Sequence, residues 1–237
     1  MKKIREYDLH DEFLTEYENA AIANAQQILK EAKILLAHRS FARAYFLAVA
    51  SIEETGKAYI AFSSKGRNLS DKGLKERIQK IFESHSQKIS SAFIGWITKA
   101  SNPSESIKAA LELMVHLKLG REKSMYVDAK PDNSISIPMR VIRPAAAIDS
   151  VKVAENCLYH TKQYLSQTSP PSFSSFDEKF FCLRTDKINE IFNTADFGKY
   201  ILFDLKKEGK HFSLAKAIVT YHDRYFCKKM KFSEKES

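Results

Sequence analysis

Glycine and proline are scarce, 7 and 6 in a chain of 237 residues. So few turn formers cannot punctuate the many short strands of a sandwich or barrel, whereas plentiful Ala, Leu, Ile, Lys and Glu suit long helices. The three cysteines, Cys157, Cys182 and Cys227, are odd in number and far apart, which fits reduced thiols and excludes a disulfide framework or a paired-cysteine zinc site. No uninterrupted run of roughly 18 apolar residues is present, so no bilayer span is expected. The basic start MKKIREYDLHDEF has no apolar segment behind it, so no secretory signal is expected either, and the chain reads as cytoplasmic, with no membrane partner. Also missing are a phosphate-cradling glycine loop, a His-Glu zinc helix, a serine nucleophile elbow and a calcium loop. Conventional nucleotide hydrolysis and metal chemistry are thereby disfavoured, and neither a metal nor a cofactor is expected.

Hydrophobic residues make up 44% of the chain, enough to bury one domain, or one domain plus an appendage. The net charge of +9 favours an anionic partner such as RNA, although charges of both signs are interspersed along the sequence. Apolar spacing predicts a first helix over 12–38 through Ala20, Ala23, Ile28, Ala32, Leu35 and Leu36. A second runs from an N-cap at Ser40 to Ser64, with Gly66 suited to a left-handed turn after it. A third covers 71–100, and Asn102-Pro103 opens a fourth as N-cap and first helical residue. Residues 125–140 read as an extended connection or small hairpin, followed by a fifth helix from Pro144 to Ser166. The polar stretch SQTSPPSFSSF, 166–176, is a linker or wrap-around loop, and two further helices occupy 177–193 and 213–229. The fold class is therefore all-α: an antiparallel helical bundle over 12–166 with a short extended connection, and a helical C-terminal extension over 177–231 packed on it.

The second helix poses a chemical problem. In SFARAYFLAVASIEETGKA, 40–58, an apolar surface runs almost all round the helix and yet carries Glu53 and Glu54, whose burial is costly without compensation. Glu53 and Lys57, four apart in the favourable order, can pair on one face, while Glu54 has no obvious local partner and needs another helix or a second subunit. The three form a structural polar network in which Gly56 permits close backbone approach; a substrate-site role for one of these charges is the other reading.

Three segments of the chain, in the same order, are similar to one known family. ARAYFLAVASIEETGKA resembles the central helix of HEPN domains, all-α modules of bacterial defence proteins, and in particular of the AbiV abortive-infection family. GREKSMYVDAK, 120–130, resembles the family's Arg/Lys-Ser-hydrophobic-Tyr-Val-Asp segment, and SHSQK, 84–88, its His-containing third-helix segment. The resemblance covers roughly 20–165. It implies a HEPN-like bundle acting in antiphage defence, assembled as a homodimer with an RNA-cleaving cleft between subunits and an Arg-x4-6-His motif. In such a cleft a histidine moves a proton during attack by the ribose 2′-hydroxyl, and an arginine stabilises charge on the phosphate.

This chain departs from that motif. Its Arg-x4-His match, Arg5 to His10, lies ahead of the expected helices, and Arg77 and His85 are rotated by roughly 80° from one another on an ideal helix. The candidate catalytic pair is His85 with Arg121, and Lys88, Tyr126 and Arg77 are candidate substrate-binding residues; ordinary surface or packing roles are the alternative for each. Tyr126 either buries its ring to anchor the connection or offers its hydroxyl to RNA or a subunit. Asp128 is a turn or salt-bridge residue or, as the lesser reading, a base. The segment SLAKAIVTYHDRYFCKKMK, 213–231, with His222, Arg224 and a basic end, packs on the core or binds an anionic surface. Two function classes follow: a metal-independent endoribonuclease or RNA-binding effector, and a noncatalytic module that binds a phage or host protein.

Overall fold

The computed structural model describes residues 8–99 and 102–233, without the side chains of Pro103 and Ser104. Those residues are all-α apart from one two-stranded antiparallel ladder. Two compact units divide the chain: one runs to Leu69 and resumes over Ile78–Pro171, the other combines Ser70–Arg77 with the chain from Ser172.

In the first unit, α1 (Asp11–Ala37) starts where the His10 ring accepts a hydrogen bond from Phe13 N–H. It pairs along α2 (Phe41–Ser64) through small residues: Ala21, Ala25 and Ala32 are buried, and the Ser51 hydroxyl donates to Ala25 O at 2.9 Å. Short side chains let the two backbones come close. Most of α2 is buried, because α4 (His85–Ala92) and α8 (Pro144–Gln167) pack on it as well. Val49, Ile52, Ile89, Phe93, Met114, Val151 and Leu158 belong to the resulting core.

Two glycines permit those contacts. A Cβ on Gly56 would sit 1.8 Å from the Lys88 carbonyl oxygen, and one on Gly95, in α5 (Ile94–Lys99), 2.9 Å from Thr161 of α8. Helix α6 (Pro103–Lys123) opens at Asn102, whose side chain accepts from Glu105 N–H, as the Asn-Pro pair predicts. The connection beyond it forms the ladder β1 (Asp128–Ala129) with β2 (Ile135–Ser136), then the single turn α7 (Pro138–Val141).

The second unit holds the first half of α3 (Lys72–Glu83) together with α9 (Ser175–Cys182), α10 (Thr185–Phe192), α11 (Phe197–Glu208) and α12 (Leu214–Tyr221). Its core is aromatic. Phe197 meets Tyr221 edge-on at 4.9 Å between ring centroids, and Tyr200 meets Phe232 at 5.2 Å. Asp196 ties Phe232 to this core by accepting from the Tyr221 hydroxyl at 2.8 Å and from Phe232 N–H.

The structure departs from the sequence expectations at several elements. The helix expected over 71–100 is three, because the Ser84 side chain caps a new start by accepting from Gln87 N–H and Phe93 ends α4 ahead of α5. The helix expected over 177–193 is likewise two, α9 and α10, separated by extended backbone at Leu183 and Arg184. Helix α11 was not expected at all. Gly66 serves close approach rather than a left-handed turn: a Cβ there would meet the Pro171 carbonyl oxygen at 1.7 Å, and the left-handed glycine is Gly209, φ 52°, which ends α11. Cys157 is buried and the other two cysteines are exposed.

Candidate functional site

Glu53 lies on the buried face of α2 and is 6% exposed. An ionised carboxylate in that position requires donors, and it receives them from two other elements. His85 Nδ1 lies 2.7 Å from Oε2, the Lys88 ammonium lies 3.3 Å from the same oxygen, and Arg121 Nε–H donates to Oε1 at 2.6 Å. His85 and Lys88 are carried by α4, one turn apart, and Arg121 by the last turn of α6. The close passage of α4 over Gly56 sets the distance at which the first two reach α2.

Lys88 is itself 6% exposed, so the buried carboxylate and the buried ammonium compensate one another. His85, by contrast, keeps half of its side chain in solvent. Because a carboxylate only accepts, the ring nitrogen facing Glu53 is the one that carries hydrogen, and Nε2 is the ring nitrogen not engaged by Glu53. The Arg121 guanidinium also lies over the Phe46 ring, 5.8 Å from its centroid. Phe46 was not among the sequence candidates. The signal for it was present: it precedes Glu53 by seven residues, two helical turns, and so shares its face.

The structure therefore joins His85, Lys88 and Arg121, three of the sequence candidates, around Glu53. It corrects the pairing within α2. Lys57 bonds Glu54 at 2.6 Å rather than Glu53, because the Glu53 side chain is turned toward α4 and α6. Both members of that pair are half-buried. Nearby, burial first and then the charge of Glu54 raise the pKa of the Tyr17 hydroxyl.

Other candidates stand apart from Glu53. Arg77 belongs to the second unit, where its guanidinium lies 6.0 Å over the Phe181 ring and its Nε is buried without a hydrogen-bond partner among the described residues. Tyr126 keeps its ring exposed at 62%, so it does not anchor the connection by burial. Asp128 is exposed in β1 opposite Ser136. Arg5 lies outside the described residues, and His10 caps α1. No group of His, Cys, Asp and Glu able to hold a metal ion occurs among the described residues. No helix among them is long and apolar enough to cross a membrane.

Comparison with known proteins bears on this helical arrangement directly. A family model described as AbiV, of the HEPN class, matches residues 13–159, more than half of the chain. The chain belongs to the AbiV family of abortive-infection HEPN domains. The matched segment runs from α1 into α8 and contains Glu53, His85, Lys88 and Arg121, whereas α9 to α12 lie beyond it. No curated protein and no solved structure matches the chain.

Proposed function

We propose that this AbiV-family protein is an antiphage effector that cleaves RNA at the Glu53 cluster by proton transfer, with a second copy completing the cleft. The observation that carries this reading is the oriented, half-exposed His85 ring sharing one buried carboxylate with Arg121. In the proposed reaction His85 Nε2 takes the proton of a ribose 2′-hydroxyl as that oxygen attacks the adjacent phosphorus, and the P–O5′ bond breaks as the 5′-oxygen takes a proton from water. Arg121 faces the phosphate oxygens with the guanidinium nitrogens not engaged by Glu53, and stabilises their added charge in the transition state. Glu53 holds both groups in register. Tyr126, exposed in the loop between α6 and β1, is available to a base or to the second copy.

A second reading has its own observation. Lys88 is buried against Glu53 and Arg121 is largely covered, which is what a scaffold for a noncatalytic, protein-binding module requires. One experiment separates the two. Purified protein is incubated with total cellular RNA, with and without EDTA, beside His85→Ala and Glu53→Gln proteins whose folding is checked by circular dichroism. Cleavage that resists EDTA and falls by about 100-fold or more in His85→Ala supports the nuclease. Cleavage unchanged in that variant, or RNA binding with no cleavage at any protein concentration tested by light scattering for self-association, supports the module.

A further inference from the structure

A cavity of about 420 Å³ lies between the start of α2, the loop after α6 and the turn α7, and the proposed reaction does not use it. That volume is in the range of small-molecule sites. Its walls are mainly apolar: Phe41, Met125, Val127, Ile137 and Met139 line it, and Met139 is 85% exposed although it belongs to a helical turn. Methionines are unbranched and repack readily around a flexible occupant. Two arginines supply the charge. Arg43, in the first turn of α2, donates from Nη1 to Met125 O at 3.2 Å, which holds its guanidinium at the cavity wall. Arg39, in the left-handed turn between α1 and α2 (φ 60°), has no side-chain hydrogen bond or ion pair among the described residues. No carboxylate is among the residues that line the cavity. The first turn of α2 likewise carries no acidic residue, so the helix end adds to the positive potential of the two guanidiniums rather than offsetting it.

Apolar walls and uncompensated cations together select the occupant. From them we infer that the cavity binds a free amphiphilic carboxylate, an unbranched acyl chain with an anionic head. The carboxylate accepts hydrogen bonds from Arg39 and Arg43, and charge-assisted bonds of this kind are the strong ones. The acyl chain lies among Met125, Ile137 and Met139, and removal of its apolar surface from water drives the binding. Other ligand classes match the cavity less well. A cationic amphiphile meets two like charges at the arginines, and a neutral one leaves both guanidiniums without an anion. A sugar or nucleotide turns its hydroxyls and ring nitrogens against walls that offer few hydrogen-bonding groups, and polar atoms buried without partners lose affinity. The site is separate from the Glu53 cluster: Arg43 precedes Glu53 by ten residues of α2, about 15 Å along the helix. Ligand binding is therefore measured without reference to RNA cleavage.

The test titrates the full chain with decanoate by isothermal titration calorimetry, beside decane-1,2-diol and decyltrimethylammonium, which keep the alkyl chain and remove or reverse the charge. Decanoate is expected to saturate one site per chain, with both comparison ligands about tenfold weaker or more. Arg39→Gln and Arg43→Gln are each expected to weaken decanoate by about tenfold and to leave the diol within about twofold, a difference that damage to the fold would not produce. Met139→Glu, at an exposed position, is expected to abolish decanoate binding with the circular dichroism spectrum unchanged. No saturable decanoate binding by the unsubstituted protein overturns the assignment, and so does equal affinity for decanoate and the diol, with no variant needed. Decanoate affinity kept by both arginine variants overturns it as well. Self-association in light scattering that Met139→Glu abolishes and decanoate leaves unchanged gives the cavity to a second copy of the chain instead.

Discussion

A single carboxylate decides most of the chemistry of the first unit. Glu53 is compensated by three cationic or hydrogen-bearing groups, and Lys88 has been taken out of water to reach it. Replacing Glu53 by Gln removes the charge and leaves the Lys88 ammonium buried without its counter-ion, which is the costly way to break such a pair. A loss of about 3 kcal/mol in urea unfolding is expected for Glu53→Gln, and a smaller loss for the double substitution Glu53→Gln with Lys88→Met, which removes both charges. A second carboxylate governs the acid response of the other unit. Burial opposes ionisation of Asp196, yet hydrogen bonds from Phe232 N–H and the Tyr221 hydroxyl outweigh it and hold the group below the usual carboxylate range. A depressed folded-state pKa contributes stability that is present above the unfolded value of about 3.9 and is lost as pH falls through the folded value. Tyrosine fluorescence during acid titration should therefore report loosening of the aromatic core below about pH 4, and Asp196→Asn should be less stable at neutral pH with a flatter acid limb.

At the scale of elements, helix spacing is set by where side chains are missing. The α2–α4 contact has no room for a methyl group at Gly56, where the obstacle is the Lys88 main chain rather than a movable side chain. Gly56→Ala is expected to cost about 3 kcal/mol, because α4 must shift as a unit and carry His85 and Lys88 away from Glu53. Gly198 is the contrasting case. It lies in the first turn of α11 with nothing within 4 Å of an added Cβ, so Gly198→Ala should gain about 0.5–1 kcal/mol from helix propensity and reduced freedom of the unfolded chain. Thermal melts of both variants side by side test the pair. Opposite signs are expected, and two destabilised proteins would sink the assignment of Gly56 to close packing. The helix breaks at Ser84 and Phe93 belong to the same scale: an uninterrupted helix over 71–100 would rotate His85 and Lys88 together with Trp96, whereas the cap at Ser84 restarts the helix immediately before His85.

The whole molecule carries a net charge of +9 with both signs interspersed, so RNA binding, if it follows the proposed reading, rests on a limited number of phosphate contacts. For a single strand the logarithm of affinity falls with the logarithm of salt by about 0.7 per phosphate neutralised, so three to five contacts predict roughly a tenfold or greater loss from about 50 to about 200 mM salt. Fluorescence anisotropy with a labelled RNA oligomer measures the slope. Arg121→Gln should make it shallower by about one contact. An affinity independent of salt would point away from phosphate recognition and toward the protein-binding module.

Much of this protein is determined locally. Few glycines and prolines, apolar spacing over α1, α2, α6 and α8, and the Asn102-Pro103 start are properties of neighbouring residues, and each produces the element it predicts. The same holds for the family-like segments around Glu53, Ser84 and Gly120, which lie within the matched residues. Periodicity reads less well where short elements follow one another, as in α3 to α5 and α9 to α11, because a cap such as Ser84 competes with a continuing apolar stripe and only packing settles the outcome. The charge pairing of the site was beyond local rules altogether. Spacing alone matches Glu53 with Lys57, since both lie on one helix four residues apart. Only the tertiary fold brings His85, Lys88 and Arg121 to Glu53, and it does so because a buried carboxylate must be met by donors from whatever elements pack over it, while Glu54, half-buried, is left to Lys57.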